Sequence, residues 1–156
     1  MCLKYSLFMK HNYDTIRLNA QSGDIKRILN LIEEICDRYN LHNYFGIFSI
    51  TIDEIITQII NSNIIDRDNL KIEFSFEQCS KGVLFRFNSN KELYFKVNEI
   101  IELLSSEIIN TDSNKNIEIA FYIDGIDQSE LITRQNIIKN YLINKTNKTT
   151  KLSHGD

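Results

Sequence analysis

Two hydrophobic periods run along the chain, and the points where one gives way to the other mark its elements. Over Thr15 to Ala20, Ile16 and Leu18 alternate with Arg17 and Asn19, the two-residue period of a strand with one buried face. Gln21-Ser22-Gly23-Asp24 then supplies turn and N-cap chemistry, because short polar side chains accept hydrogen bonds from the open N–H groups of a first helical turn. From Asp24 to Tyr39 the period lengthens. Ile25, Ile28, Leu29, Ile32, Ile35, Cys36 and Tyr39 lie three and four apart and predict an amphipathic helix, with Glu33, Glu34, Asp37 and Arg38 toward water. A second helix is predicted over Tyr44 to Asn63, where Phe48, Ile52, Ile55, Ile56, Ile59 and Ile60 form a broad apolar face. Its other side carries Glu54, Gln58 and Ser62 at successive steps of four, so the three side chains stack along one line.

Leu70, Ile72, Phe74 and Phe76 alternate with Lys71, Glu73 and Ser75, and Val83, Phe85 and Phe87 repeat the pattern after a turn over Gln78 to Gly82. The pair reads as an antiparallel hairpin with one face on a core. Leu93 to Val97 reads as a short extended segment, and Val97, Ile100, Ile101, Leu104 and Ile108 return to the helical period as far as Asn110. Beyond a loop at Asp112 to Asn116, the alternation of Ile117, Ile119, Phe121 and Ile123 predicts another strand, closed by Asp124-Gly125. Leu131, Ile138 and Leu142 then predict a last helix behind a cap at Asp127 to Glu130. The order strand, helix, helix, hairpin, helix, strand, helix predicts an α+β fold, a two-layer α/β sandwich whose mixed, mostly antiparallel sheet is covered by helices on one face. One domain over residues 1–143 is expected, with residues 144–156 a polar, disordered tail too poor in apolar surface to order itself.

Composition narrows the function. With 42% hydrophobic and 25% charged residues, 156 residues suit one folded core. A net charge of −3 leaves no basic footprint for nucleic acid, which is bound by clustered Lys and Arg that displace counterions. No apolar run is long enough to span a bilayer, and Met1-Cys-Leu-Lys-Tyr does not read as a secretion signal, so a cytoplasmic protein without a membrane role is expected. Cys2, Cys36 and Cys79 read as reduced thiols, with Cys36 silenced on the buried stripe of its helix. His11, His42 and His154 stand apart, without an acid or metal-ligand partner at helical or hairpin spacing.

A resemblance joins these pieces. Thr15-Ile-Arg-Leu-Asn-Ala, the helix end Ile35-Cys-Asp-Arg-Tyr-Asn-Leu and the second helix with Ile52-Asp-Glu-Ile-Ile-Thr-Gln-Ile-Ile-Asn-Ser look like the opening of an anti-sigma-factor serine kinase. Those kinases are small members of the gyrase, chaperone and histidine-kinase (GHKL) ATPase superfamily, and the likeness continues through the hairpin to the strand at Ile117 to Ile123. It implies a helix bearing Glu-x-x-x-Asn, the Glu as general base and the Asn as Mg²⁺ ligand. Glu54 matches the base. Gln58 stands at the metal position, one methylene too long, and Ser62 replaces the His often found four residues on, with Asn61 beside it. After the hairpin the family carries Asp-x-Gly-x-Gly under the adenine; here Asn88-Ser89-Asn90-Lys91-Glu92 keeps neither the carboxylate nor a glycine, and no Gly-rich phosphate lid follows.

The resemblance with these departures implies a regulatory protein-binding module on a degenerate ATPase fold. Its partner would be a sigma factor, an anti-sigma antagonist, a paralogue or a second copy in a dimer. No cofactor is expected, unless Glu54, Gln58, Asn61, Ser62, Asn88 and Asn90 still hold ATP and Mg²⁺. In that case the alternative is an active serine/threonine protein kinase with Glu54 as base. A small chaperone-like or structural protein unrelated to these enzymes is the third reading.

Overall fold

The computed structural model describes residues 14–62, 69–111, 113–123 and 128–153. In chain order the elements are strand β1 (Asp14–Leu18), helix α1 (Gly23–Tyr39), a 3-10 turn (His42–Tyr44), helix α2 (Phe45–Ser62), the hairpin β2 (Ile72–Cys79) and β3 (Gly82–Ser89), helix α3 (Glu99–Leu104), strands β4 (Glu107–Thr111) and β5 (Asn116–Tyr122), and helix α4 (Gln128–Ser153). They fall into two compact units that part between Ile123 and Gln128, the first holding the sheet with α1 to α3 and the second holding α4. The five strands form one sheet in the order β1-β2-β3-β5-β4, with antiparallel pairing throughout. The first unit is the α+β, two-layer sandwich that the alternating periods predict.

Its local signals are capping and close approach. Asp24, 2% exposed, turns its carboxylate back to accept from the N–H groups of Asn19 at 2.9 Å and Gln21 at 3.1 Å, which locks the turn between β1 and α1. Ser22 holds the N-cap position without a side-chain cap bond, so Asp24 does the work. At the other end Asn40 adopts a left-handed φ of 57° and its N–H returns to Cys36 O, stopping the helix. The β2–β3 hairpin turns through Ser80 and Lys81 alone, tighter than the turn expected from the sequence. At its far side Gly82 must be glycine, because a Cβ there would collide with the backbone of Phe121.

The register places Phe74 opposite Phe87 and Phe87 opposite Ile117, with Phe76, Phe85 and Ile119 aligned one pair along. These side chains share one face of the sheet, and all six are 0% exposed. Phe48 of α2 meets that face edge-on, its ring 5.3 Å from Phe85 and 4.9 Å from Phe121, while Tyr39 of α1 lies 5.5 Å from Phe76. Ile52, Ile55, Ile56 and Ile59 of α2 are each 0% exposed, as the broad stripe requires. On the opposite face Arg86 joins Glu77 at 3.0 Å and Glu118 at 3.2 Å, beside the buried pair Leu84 and Ala120.

The structure differs from the sequence pattern in three places. The helix expected as far as Asn110 stops at Leu104, and Glu107–Thr111 is instead β4, an edge strand paired with β5. Ile108 satisfies both periods, so the local pattern cannot separate them. The choice falls to Ser105 and Ser106, since Ser105 Oγ turns back to Ile101 O at 2.6 Å and Ser106 Oγ accepts from Tyr122 N at 2.8 Å. Leu93 to Val97 enters no strand pairing among the described residues. Finally α4 continues past residue 143 to Ser153, where a disordered tail was expected. Lys and Leu favour a helix there while Asn and Thr disfavour it, so intrinsic propensity alone does not account for the extension. The Asp124-Gly125 turn and the Asp127 cap lie outside the described residues, and no helix among those described is long and apolar enough to cross a membrane.

Phe85 touches the rings of Phe48, Phe74, Phe76 and Phe121, so Phe85→Ala removes contacts in both layers at once. We expect a loss of about 3–5 kcal/mol in urea denaturation, and a smaller loss for Phe85→Leu, which keeps much of the buried volume and forfeits the ring contacts.

Candidate functional site

The polar line of α2 is the natural place to look for chemistry, because it runs along the border of a helix whose other side is sealed in the core. Glu54 and Gln58 are half-buried, and Asn61 and Ser62 are exposed at the helix end. Gln58 is engaged at both ends of its amide. Its Nε2 donates to Lys96 O at 3.0 Å and its Oε1 accepts from Lys96 N at 2.8 Å. The side chain therefore pairs with the backbone of the segment before α3 as a neighbouring strand would. One turn earlier, Glu54 Oε2 accepts from Asn98 Nδ2 at 3.1 Å, and Asn98 Oδ1 in turn accepts from Ile101 N at 3.0 Å as the N-cap of α3. Both family-like positions thus hold the strap of residues 93–98 against α2.

Asn88 and Asn90 lie elsewhere. They stand at the end of β3, where the Asn90 side chain accepts from Lys71 N at 2.8 Å and donates to Asn69 O at 2.8 Å. Asn88 is exposed on the sheet face opposite the helices. Gln58 and Ser62 line a cleft of about 380 Å³ with the strap, Asn110 and Asn114, whereas Asn88 and Asn90 line a separate one of about 650 Å³. Asn61 lines neither. The two clefts have no residue in common, so the six candidate residues do not converge on one volume.

This donor set does not fit a nucleotide held with Mg²⁺ between α2 and the end of β3. The Gln58 amide is already oriented by Lys96, and the Asn90 amide by Asn69 and Lys71. Among the described residues no group of three or more His, Cys, Asp or Glu side chains is placed to hold a metal ion.

The remaining reactive side chains are now placed too. His42 does have an acid partner, contrary to the sequence reading, with Nδ1 3.3 Å from Asp37 Oδ1, but both side chains stand mostly in solvent. His11, His154 and Cys2 lie outside the described residues. Cys36 is buried, and that burial, with Asp37 nearby, pushes its thiol up to about 11, so it is a packing residue as expected. Cys79 is half-buried at the end of β2. The phenol of Tyr122 is pushed up by its hydrogen bond to Glu107, then by burial and the carboxylate charge. Sequence reasoning missed Asn98 and Lys96. Asn98 was within reach, since Asn directly before Glu99-Ile-Ile is an N-cap signal, but a backbone partner such as Lys96 leaves no residue-type signature.

Fold and site together define an α+β sandwich whose α2 polar line is tied to its own chain. No protein-family model matches the chain, and no curated protein matches it.

Two outcomes follow from this geometry. Gln58→Ala removes both bonds to Lys96, and we expect amide exchange at Lys96 to quicken at least tenfold while global stability falls by only about 1 kcal/mol, readable by hydrogen-exchange NMR and urea titration. Because the folded Cys36 thiol stays protonated up to about 11 and the free thiol titrates near 9.0, its contribution is complete below pH 9 and fades as pH rises toward 11. Denaturation midpoints measured from pH 8 to 11 should therefore fall, and Cys36→Ala should flatten the part of that fall that Tyr122 does not supply.

Proposed function

We propose that the chain is a regulatory protein-binding module on a degenerate form of the GHKL ATPase fold, in which nucleotide binding is weak or lost. The observation that carries this reading is the two-way pairing of Gln58 with the Lys96 backbone. A side chain in the metal-ligand position serves the chain's own packing, and its neighbour Glu54 serves the cap of α3. The loss of the Asp and both glycines around Asn88 to Glu92, and the separation of the two clefts, support the same reading. On the resemblance, the partner is a sigma factor, an anti-sigma antagonist, a paralogue or a second copy, met in the cytoplasm. No cofactor is required for such a role.

Calorimetric titration of the full chain with ATP and ADP in the presence of Mg²⁺ tests the reading. Saturation is expected only at millimolar ligand or beyond, and a Kd near 1 µM, about −8 kcal/mol, would place the active-kinase reading first. Glu54→Gln supplies an independent check. A glutamine oxygen can still accept from Asn98, so the thermal midpoint should hold, and no ATP-dependent activity should be lost. A general base would lose on the order of 10²–10⁴ in rate.

A further inference from the structure

The larger cleft, at the end of the sheet away from the α2 polar line, has chemistry of its own. Strand register puts Arg17 opposite Glu73 and Glu73 opposite Asn88, one row across β1, β2 and β3. Two residues along, Asn19, Lys71 and Asn90 continue the same face, and all six line the cleft of about 650 Å³. That volume lies within the roughly 300–1,000 Å³ typical of small-molecule sites. The backbone of Leu18, Leu70 and Ile72 also lines the cleft, their side chains being buried on the other face of the sheet.

The charges are left open in a specific way. Among the described residues Arg17, Lys71 and Glu73 form no ion pair, although Arg17 and Glu73 face each other directly across the strands. Arg17 and Lys71 are diagonal neighbours on adjacent strands, about 7–8 Å apart at the backbone, a span that two long side chains close around one tetrahedral oxyanion. The wall that presents Lys71 is fixed, because Asn90 bonds to both Lys71 N and Asn69 O through its side chain and to Lys71 O through its own N–H at 3.1 Å. Glu73 lies opposite Arg17 and two residues from Lys71, next to each cation. Its carboxylate repels a bare anion and accepts from hydroxyl donors, while the exposed Asn88 amide offers both a donor and an acceptor.

We infer that this cleft binds a small phosphate monoester that carries hydroxyl groups, its phosphate held between Arg17 and Lys71 and its hydroxyls directed to Glu73 and Asn88. The site shares no residue with the cleft along α2, but it takes in Asn88 and Asn90 of the turn on which the regulatory reading partly rests. Binding neutralises two cations at the surface and should therefore weaken as salt is raised. It also links the edge strand β1 to β2, so the ligand should slow exchange of β1 amides.

The test is an amide-resolved NMR titration of the full chain with glycerol 3-phosphate, with inorganic phosphate and with glycerol, at low and at physiological salt. The expected result is saturable shifts confined to residues 17–19, 71–73 and 88–90 with glycerol 3-phosphate, weaker binding of inorganic phosphate and none of glycerol. Arg17→Gln and Lys71→Gln should each weaken binding at least tenfold, and Glu73→Ala, which removes the hydroxyl acceptor, should narrow the preference for the ester over inorganic phosphate. The Arg17, Lys71 and Glu73 side chains are exposed, so the unliganded spectra should show the fold intact. Shifts that grow linearly, that spread over other Lys residues, or that persist unchanged in Arg17→Gln would overturn the site. Equal affinity for phosphate and its glycerol ester would overturn the role given to Glu73 and Asn88.

Discussion

Phe85 sits at the junction on which both layers depend. From the middle of β3 its ring reaches Phe74 and Phe76 along the sheet, Phe121 on the next strand, and Phe48 on the helix above. A flat bed of aromatic rings offers a helix a surface on which a broad stripe can lie, and α2 answers with isoleucines on adjacent turns. β-branched residues are slightly unfavourable in a helix, so α2 owes its stability to this tertiary burial and little to intrinsic propensity. The edge-to-face geometry of Phe48 against Phe85 and Phe121, with interplanar angles of 63° and 60°, adds a directional preference to what area alone supplies.

The opposite face of the sheet fixes register by other means. Glu77 and Glu118 are buried and share one guanidinium, that of Arg86, while Asn116 donates to the second oxygen of Glu118 at 3.2 Å. Glu77 Oε2 is buried without a hydrogen-bond partner. Two carboxylates to one cation is a costly arrangement, and an ionic group of this kind is weak support for stability. Its effect is on alternatives. Sliding β3 by one residue would turn Arg86 into the phenylalanine bed and expose Phe85 to the carboxylates, so the charges and the rings exclude the same slipped registers from opposite faces.

Between these faces, the line Glu54–Gln58 shows how a helix border can be satisfied without a ligand. Half-buried polar groups need partners, and here the partners are the backbone of Lys96 and the cap residue Asn98. The strap of residues 93–98 has no regular structure of its own, so these side chains supply the hydrogen bonds that a strand would have provided.

Sequence alone determined the elements whose period is set by burial on one side. The stripes of α1 and α2, the alternation of β2, β3 and β5, and the inert burial of Cys36 all follow from side-chain spacing that only one backbone geometry can place against a core. Tertiary structure decided what spacing leaves degenerate. Ile108 fits a helix and a strand equally, and only pairing with β5 chose β4. The candidate site was legible as a line of residue types along α2, but not as a site. Whether Gln58 faces a ligand or a backbone, and whether Asn88 and Asn90 share its cleft, depends on where a strap 38 residues away along the chain comes to rest. The cleft around Arg17 and Lys71 was equally hidden, because its six polar residues come from three strands and the residues that flank them. Period 2 tells which face each residue takes, and only the register of the assembled sheet tells which of them are neighbours.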